Sequence, residues 1–399
     1  MVLGTAAPGE LWAPPSPMPL IAQPENAVNI VILGSDQTDV AKVGRTDVMV
    51  VISVLPNVPS VSLLSIPRDF YAWLPNRGFN KINTAFTYGE KDEYPGGGPG
   101  LTKATIEYNL GIRVHYFARL SFEGFVKIVD ALGGVEVPVE CPLSDTFPDR
   151  DSPSGQTDID LLPGMHHFDG KRALWYVRSR YKSSDFDRNR RQQQVLRAMY
   201  GQIMTLRMIP KLPQLWTALR ETVSTDLGLL DVLSLANVAS RLEMANIKSR
   251  FIGPGIVEAR RATNGAYVLV ADQVMLRALI SETLAPPAAG RAEQRPPHVA
   301  VLNASPWVEL GYVAAERLRW ENFVVTSVEQ ADAGVPRTLI YDYTTTPKGS
   351  SLAYLMRLYR RKATDVVKEP GAGDGVDFLV VLGADYNPCI GPWESQPQQ

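Results

Sequence analysis

The sequence predicts an α/β protein with a central mixed or antiparallel sheet covered by helices, and a smaller α/β domain behind it. Three observations carry this. Runs rich in β-branched residues alternate with amphipathic stretches along most of the chain. Hydrophobic residues make up 45% of 399, enough to bury a full core in about two domains. A Pro-rich break, "APPAAGRAEQRPPH", is followed by a fresh strand-helix-strand rhythm.

Residues 1–27 form an N-terminal tail, either disordered or the remnant of a membrane-anchored region, with no basic n-region and no apolar run long enough to span a bilayer. The runs "VNIVIL" (Val28 to Leu33), "DVMVVISV" (Asp47 to Val54) and "SVSLLSI" (Ser60 to Ile66) follow as strands, apolar enough to be covered on both faces. The short "LPNVP" joins the second to the third as a hairpin. If the first pair is antiparallel too, Asp36, Arg45, Asp47, Arg68 and Asp69 gather at one end of the sheet.

Next, "GPGLTKATIEYNLG" and "SFEGFVKIVDALGG" read as amphipathic helices, the second closed by a Gly pair, with "VHYFARL" and "VEVPVE" as strands beside them. Residues 141–165, dominated by Pro, Asp, Ser and Gly, are expected as a long surface excursion. A helix starts at Asp169 in "DGKRALWY", and others are expected from Asp185 to about Arg207, near Pro213 to Val223, over Asp231 to Leu242 and near Ala271 to Leu284, with "RFIG" as a strand before the last. Residues 285–298 form the linker, 299–387 the second domain and 388–399 a tail.

A chain of net charge -2 has no domain-wide basic field, so nucleic acid is excluded as a partner. Six arginines nevertheless crowd into one stretch: Arg178, Arg180, Arg188, Arg190, Arg191 and Arg197. On a helix starting at Asp185, Arg188 and Gln192 continue the apolar stripe of Val195, Met199 and Ile203. An inward-facing guanidinium cannot discharge and needs an anion. Arg178 and Arg180, two apart on an expected strand, would fork from one face. Arg190 and Arg197 fall on the opposite helix face, where solvent would serve them, and Arg191 is grouped with them. Asp36, Asp47 and Asp69 at the sheet end would be the acidic counterpart, and carboxylates facing arginines suit Mg2+-assisted phosphoryl transfer. Each Asp alone could equally serve a turn.

Other signals are weaker. "GGGPG" lacks the strand context and Lys-Ser/Thr of a P-loop and reads as a plain loop. His166 and His167 have no ligand partners at useful spacing, and Cys141 and Cys389 show no metal-binding pattern. Whether the two cysteines pair stays open.

The ordered run "NIVILGSD", "GRTDVMVV", "SIPRD", "KINTAFTYG", "FEGFVKIVDALGGVEV", "FDGKRALWYVRSR" and "SDFDRNRRQQQVL" resembles the LytR-CpsA-Psr family of cell-wall glycopolymer transferases. The resemblance implies a catalytic domain over 28–284, and the stretch 299–387 is similar to the LytR C-terminal domain. It implies transfer of a glycan phosphate from a polyprenyl-pyrophosphate carrier to a peptidoglycan or wall-polymer hydroxyl, at the membrane surface in the cell envelope. By the same resemblance Asp36 and Asp47 would hold Mg2+, and Arg45, Arg68, Lys81, Arg178, Arg180, Arg188 and Gln192 would clamp the pyrophosphate. Asp36 or Asp69 would be the base, and an apolar groove involving the helix through Phe122 to Leu132 would take the lipid. Two features depart from the family: no N-terminal anchor stands in this sequence, and Asp187 replaces the usual Gly before the clamp arginine. Two other functions compete, a pyrophosphatase using water as acceptor and a non-catalytic module that binds lipid phosphate or wall polymer.

Overall fold

The computed structural model describes residues 14–35, 44–149, 152–179, 185–205, 223–242, 246–287, 296–321, 323–346, 348 and 351–389. The strands are β1 (Val28–Ser35), β2 (Thr46–Leu55), β3 (Ser60–Ser65), β4 (Tyr71–Leu74), β5 (Gly78–Lys81), β6 (Tyr116–Leu120), β7 (Val135–Val139), β8 (Leu143–Pro148), β9 (Gln156–Leu161), β10 (Gly164–Phe168), β11 (Val223–Thr225), β12 (Ile247–Phe251), β13 (Val257–Arg261), β14 (Tyr267–Ala271), β15 (His298–Asn303), β16 (Val324–Gln330), β17 (Leu339–Asp342), β18 (Val366–Lys368) and β19 (Phe378–Leu382). The helices are α1 (Ala85–Lys91), α2 (Gly97–Leu110), α3 (Phe122–Ala131), α4 (Gly170–Arg178), α5 (Asp185–Thr205), α6 (Leu229–Ala239), α7 (Gln273–Leu284), α8 (Leu310–Trp320) and α9 (Ser351–Leu358).

The large sheet runs β11-β6-β1-β2-β3-β12. β1, β2 and β3 are successively antiparallel, while β6 joins β1 and β12 joins β3 in parallel, so the sheet is mixed as expected. One face is sealed. Val31, Leu33, Met49, Val51 and Leu64 pack with α1, α2 and α7 into the main core. The other face is equally apolar yet only partly covered: Ile32, Val48 and Ile52 stay half-buried beneath α5 and Leu242. The strands are therefore apolar on both sides for two different reasons, a core on one side and a groove on the other.

Local chemistry explains the helices that frame this groove. The Ser121 side chain accepts from Gly124 N at 3.1 Å, capping α3, and Asp169 does the same for α4 through Arg172 N at 2.8 Å. α4 lies close against α3: a Cβ at Gly170 would sit 2.4 Å from the Val126 carbonyl oxygen. Val129, Val135, Val137, Phe168, Tyr176 and Val195 knit α3, α4, α5, β7 and β10 into a second core.

Several expectations change. Within 141–165, β8 and β9 pair as antiparallel strands, and β10 follows and pairs with β7. The Gly-rich stretch before Leu101 opens α2 instead of forming a loop. The "VRSR" stretch is no strand at its start, because Trp175, Tyr176 and Val177 bury on helix α4 and carry Arg178 as its last residue. The short hairpins β4–β5 and β13–β14 were not foreseen. The expected helix near Pro213 to Val223 lies outside the described residues except Val223, which starts β11, and the linker's centre, 288–295, lies outside them as well.

Past the linker a second sheet, β16-β15-β19-β17-β18, is parallel except for the antiparallel β17–β19 pair. Val299, Val301, Leu318, Ile340, Leu355 and Val380 form its core with α8 and α9. Among the described residues no helix is long and apolar enough to cross a membrane.

Candidate functional site

A groove of about 680 Å³ opens between the half-covered face of the large sheet and helices α3, α4 and α5. Its polar end holds Asp47, Arg178, Arg188 and Gln192; its body is walled by Val48, Val50, Phe122, Phe125, Leu174 and Met199. The gradient follows from two elements. Along α5, Arg188 and Gln192 are succeeded at helical spacing by Leu196 and Met199. Along β2, Asp47 is succeeded by Val48 and Val50. A second apolar cavity, of about 260 Å³, touches Leu196 and continues beneath Tyr200 and α6 along Ile30, Ile52 and Val54.

Asp47 faces the groove through a β-bulge. Gly34 pairs with Val48 and Ser35 with Thr46, which leaves Asp47 as the extra residue of β2. A bulge breaks the strict alternation of side chains, so Asp47 and Val48 can both line the groove. The close approach needs glycine opposite: a Cβ at Gly34 would come within 2.8 Å of Val48 Cβ.

The other expected residues gather behind Asp47. Arg68 Nη1 lies 3.4 Å from Asp47 Oδ1, and its Nε lies 3.4 Å from Asp69 Oδ2. Lys81, at the end of β5, donates from Nζ to Asp69 Oδ1 at 2.6 Å. The result is an alternating row, Asp47, Arg68, Asp69, Lys81. Asn83 anchors it, donating from its backbone N to the Arg68 carbonyl at 3.3 Å and accepting from Thr46 Oγ1 on its own carbonyl at 3.4 Å. Arg45 is exposed beside this row and does not line the groove. Asp36 and Arg180 lie outside the described residues.

Arg188 is buried, at 3% exposure, as its place on the apolar stripe predicts. Gln192 donates weakly to the Val177 carbonyl at 3.5 Å. Arg178 projects from the C-terminus of α4 with its guanidinium 4.2 Å from the centre of the Phe122 ring, a cation–π contact that orients it. Arg191 is not solvated as expected: it is buried and donates from Nε to the Tyr176 carbonyl at 3.0 Å and from Nη2 to that of Ser179, capping α4. Burial pulls its pKa down from the ordinary guanidinium value.

Two further residues escaped the sequence reading, and one of them, Asp145, lines the groove. Arg119, 3% exposed in β6, donates to Ser35 Oγ at 2.9 Å and stacks 4.5 Å over Phe86. An arginine inside the apolar run "YFARL" was its signal. Asp145 of β8 lines the groove and accepts from Ser179 Oγ at 2.6 Å; nothing local marked it.

The arginines of the opposite helix face are a correction. Arg190 Nε lies 3.3 Å from Glu140 Oε2, and Arg317 of α8 lies 3.6 Å from Oε1 of the same carboxylate. Glu140 is 4% exposed, so this is a buried triad joining the arginine helix to the second sheet's layer. Arg197, 7% exposed, donates to the Trp320 carbonyl at 3.3 Å and lies 5.0 Å from the centre of that ring. Protein groups meet both, so neither is simply a solvated surface charge, although Arg190 also edges a polar cleft.

The profile of the LytR_cpsA_psr family matches residues 14–283, which contain the whole groove. Over 207 residues the chain is 36% identical to the polyisoprenyl-teichoic acid–peptidoglycan teichoic acid transferase TagU of Oceanobacillus iheyensis, covering 51% of this chain and 60% of that protein. It is 32% identical over 206 residues to the regulatory protein MsrR of Staphylococcus aureus, covering 51% of this chain and 57% of that one. The chain thus aligns with somewhat over half the length of these relatives. Among solved structures, B. subtilis TagV superposes with a TM-score of 0.53 at 25% identity, covering 66% of this chain and 100% of that one. TagT bound to LI-WTA superposes at 0.50 with 26% identity, covering 65% and 90%.

Proposed function

The chain belongs to the LytR_cpsA_psr family, and from that premise we propose that it moves a glycan phosphate from a polyprenyl-pyrophosphate carrier onto a sugar hydroxyl of peptidoglycan or a related wall polymer. One observation carries the reading: a single groove that is guanidinium-lined at one end and apolar along the rest. A ligand matched to it has an anionic head and a long apolar tail, which describes a lipid pyrophosphate. The relative TagU, a teichoic acid transferase by name, and the solved complex of TagT with LI-WTA support the same class of substrate.

On this reading Arg188, Arg178 and Gln192 bind the pyrophosphate, Arg188 presenting a planar fork suited to phosphate oxygens. The tail lies along Val48, Val50, Phe122, Phe125, Leu196 and Met199. The acceptor hydroxyl attacks the phosphorus that carries the glycan. That phosphorus–oxygen bond to the carrier phosphate breaks, polyprenyl phosphate leaves, and the hydroxyl proton passes to a carboxylate. Asp69 already accepts from Lys81 and pairs with Arg68, so we assign it to holding those cations in place, with Arg45 as an outer contributor and Arg180 as a second clamp. Asp36 is left as the base. Substrate of this kind places the work at the membrane surface of the cell envelope.

Among the described residues no cluster of three or more His, Cys, Asp or Glu forms a metal cage. Mg2+ does not require one, since it binds through one or two carboxylates and completes its shell with water and phosphate oxygens. Asp47 at the groove's polar end fits that donor set and would hold the ion. When bound, it would neutralise charge developing on the phosphoryl oxygens.

The test is incubation with a polyprenyl-pyrophosphate glycan, Mg2+ and a peptidoglycan oligosaccharide. Glycan on the acceptor with equal release of polyprenyl phosphate is the expected result. Lipid phosphate released without acceptor product would make the protein a pyrophosphatase, and binding without turnover a carrier module; either overturns the proposal.

A further inference from the structure

The two cysteines of the chain, distant in sequence, meet beside the arginine helix. Cys141 follows β7 by two residues, and Cys389 lies at the end of the described chain beyond β19. Both are half-buried in the wall of a polar cleft of about 500 Å³, together with Asp187 and Arg190. Arg190 touches each of them, donating from Nη2 to Cys141 Sγ at 3.6 Å and to the Cys389 carbonyl at 3.4 Å. Cys389 Sγ in turn reaches the carbonyl of Glu140, next to Cys141, at 3.6 Å. The segment bearing Cys389 is pinned: Arg317 donates to the Pro388 carbonyl at 3.3 Å, and Tyr386 is buried against Tyr359 with ring centres 5.6 Å apart.

We propose that Cys141 and Cys389 close as a disulfide that fastens the C-terminal region to the half of the molecule carrying the arginine helix. With two cysteines in the sequence, a single intramolecular pairing exists. The site is also chemically asymmetric. The hydrogen bond from Cys141, reinforced by Arg190, holds the Cys389 thiol below its ordinary pKa against the opposing effect of burial. The same hydrogen bond, with burial, pushes Cys141 up. One thiol, deprotonated beside Arg190, displaces one sulfur of an external disulfide, glutathione disulfide or an oxidoreductase, to form a mixed disulfide. The other then loses its proton and displaces the second external sulfur. Two protein thiols are oxidised, one external disulfide is reduced to two thiols, and the cleft admits the reagent. The proposal rests on the cell-envelope reading above only for the natural source of oxidant.

The experiment equilibrates the full chain with glutathione buffers of increasing oxidised fraction, then unfolds it, alkylates it with N-ethylmaleimide and weighs it. The expected result is joint protection of both cysteines in one transition, a mass lower by two hydrogen atoms, and one cross-linked peptide containing Cys141 and Cys389. The thermal midpoint of the oxidised protein should rise by roughly 5 °C, as closure of a long loop predicts, and Cys389→Ser should abolish the rise. Both thiols still labelling at full oxidation, or cross-linking only between two chains, would overturn the proposal. None of these readouts uses transfer activity, so failure of the transferase reading and failure of the disulfide are told apart.

Discussion

The two faces of α5 carry the same residue type for opposite ends. Arg188 looks into the polar end of a groove whose body is apolar, whereas Arg190 is met by Glu140 after β7 and Arg197 by Trp320 of α8. Both faces are buried, so burial does not tell a ligand-binding arginine from a structural one. What separates them is the neighbourhood: Arg188 stands at the polar end of an otherwise apolar groove, whereas Arg190 and Arg197 meet Glu140 and Trp320 where the arginine helix faces the second domain.

The sharpest way to break this comparison is to cut each face in turn. Arg188→Ala should lower the transfer rate by two to three orders of magnitude, as loss of a donor to a transferring phosphoryl group does, and Arg188→Lys should not restore it because the fork is lost. Steady-state transfer assays check this; near-normal rates in Arg188→Ala would remove the groove from the chemistry. Glu140→Ala should do the reverse. It leaves Arg190 and Arg317 buried without their shared carboxylate, at a cost of about 3 kcal/mol in denaturant unfolding, with faster proteolysis near α8. Arg197→Met keeps volume but removes the cation above Trp320, and about 1 kcal/mol of stability should go with it. A neutral result would return Arg197 to the solvated role that sequence alone assigns.

The smallest effect concerns pH. Asn29 N donates to His115 Nδ1 at 2.9 Å, which needs a neutral ring, and burial followed by the charges of Arg113 and Lys103 lowers the imidazole pKa. A depressed folded-state pKa gives stability that is present above the unfolded value of 6.5 and is lost as pH falls below it. A decline of about a degree in thermal midpoint between neutral and mildly acidic buffer, absent in His115→Asn, is the expected signature.

Helical phase alone located Arg188 and Gln192, because a periodic stripe is local information. Hairpin connections placed Asp47, Arg68 and Asp69 at one sheet end for the same reason. The arginines of the far face were misjudged because their partners are distant in sequence, Glu140 fifty residues before Arg190 and Trp320 beyond the linker from Arg197, where no local pattern reaches. Arg178 and its neighbour in "VRSR" look like strand residues by alternation, yet tertiary burial of Trp175 to Val177 draws the first of them onto a helix. Asp145 could not be found at all, since a hairpin brings it in from the side.

The extra residue at position 47 makes the site sensitive to length as well as to identity. Substituting Asp47 would leave the ladder in place and remove the acid that faces Arg68. Deleting it would let the strand pair evenly with Thr46 still opposite Ser35, and would remove the bulge that lets positions 47 and 48 both line the groove. Across lineages the acid at this position and the extra residue that turns it toward the groove should therefore be kept together.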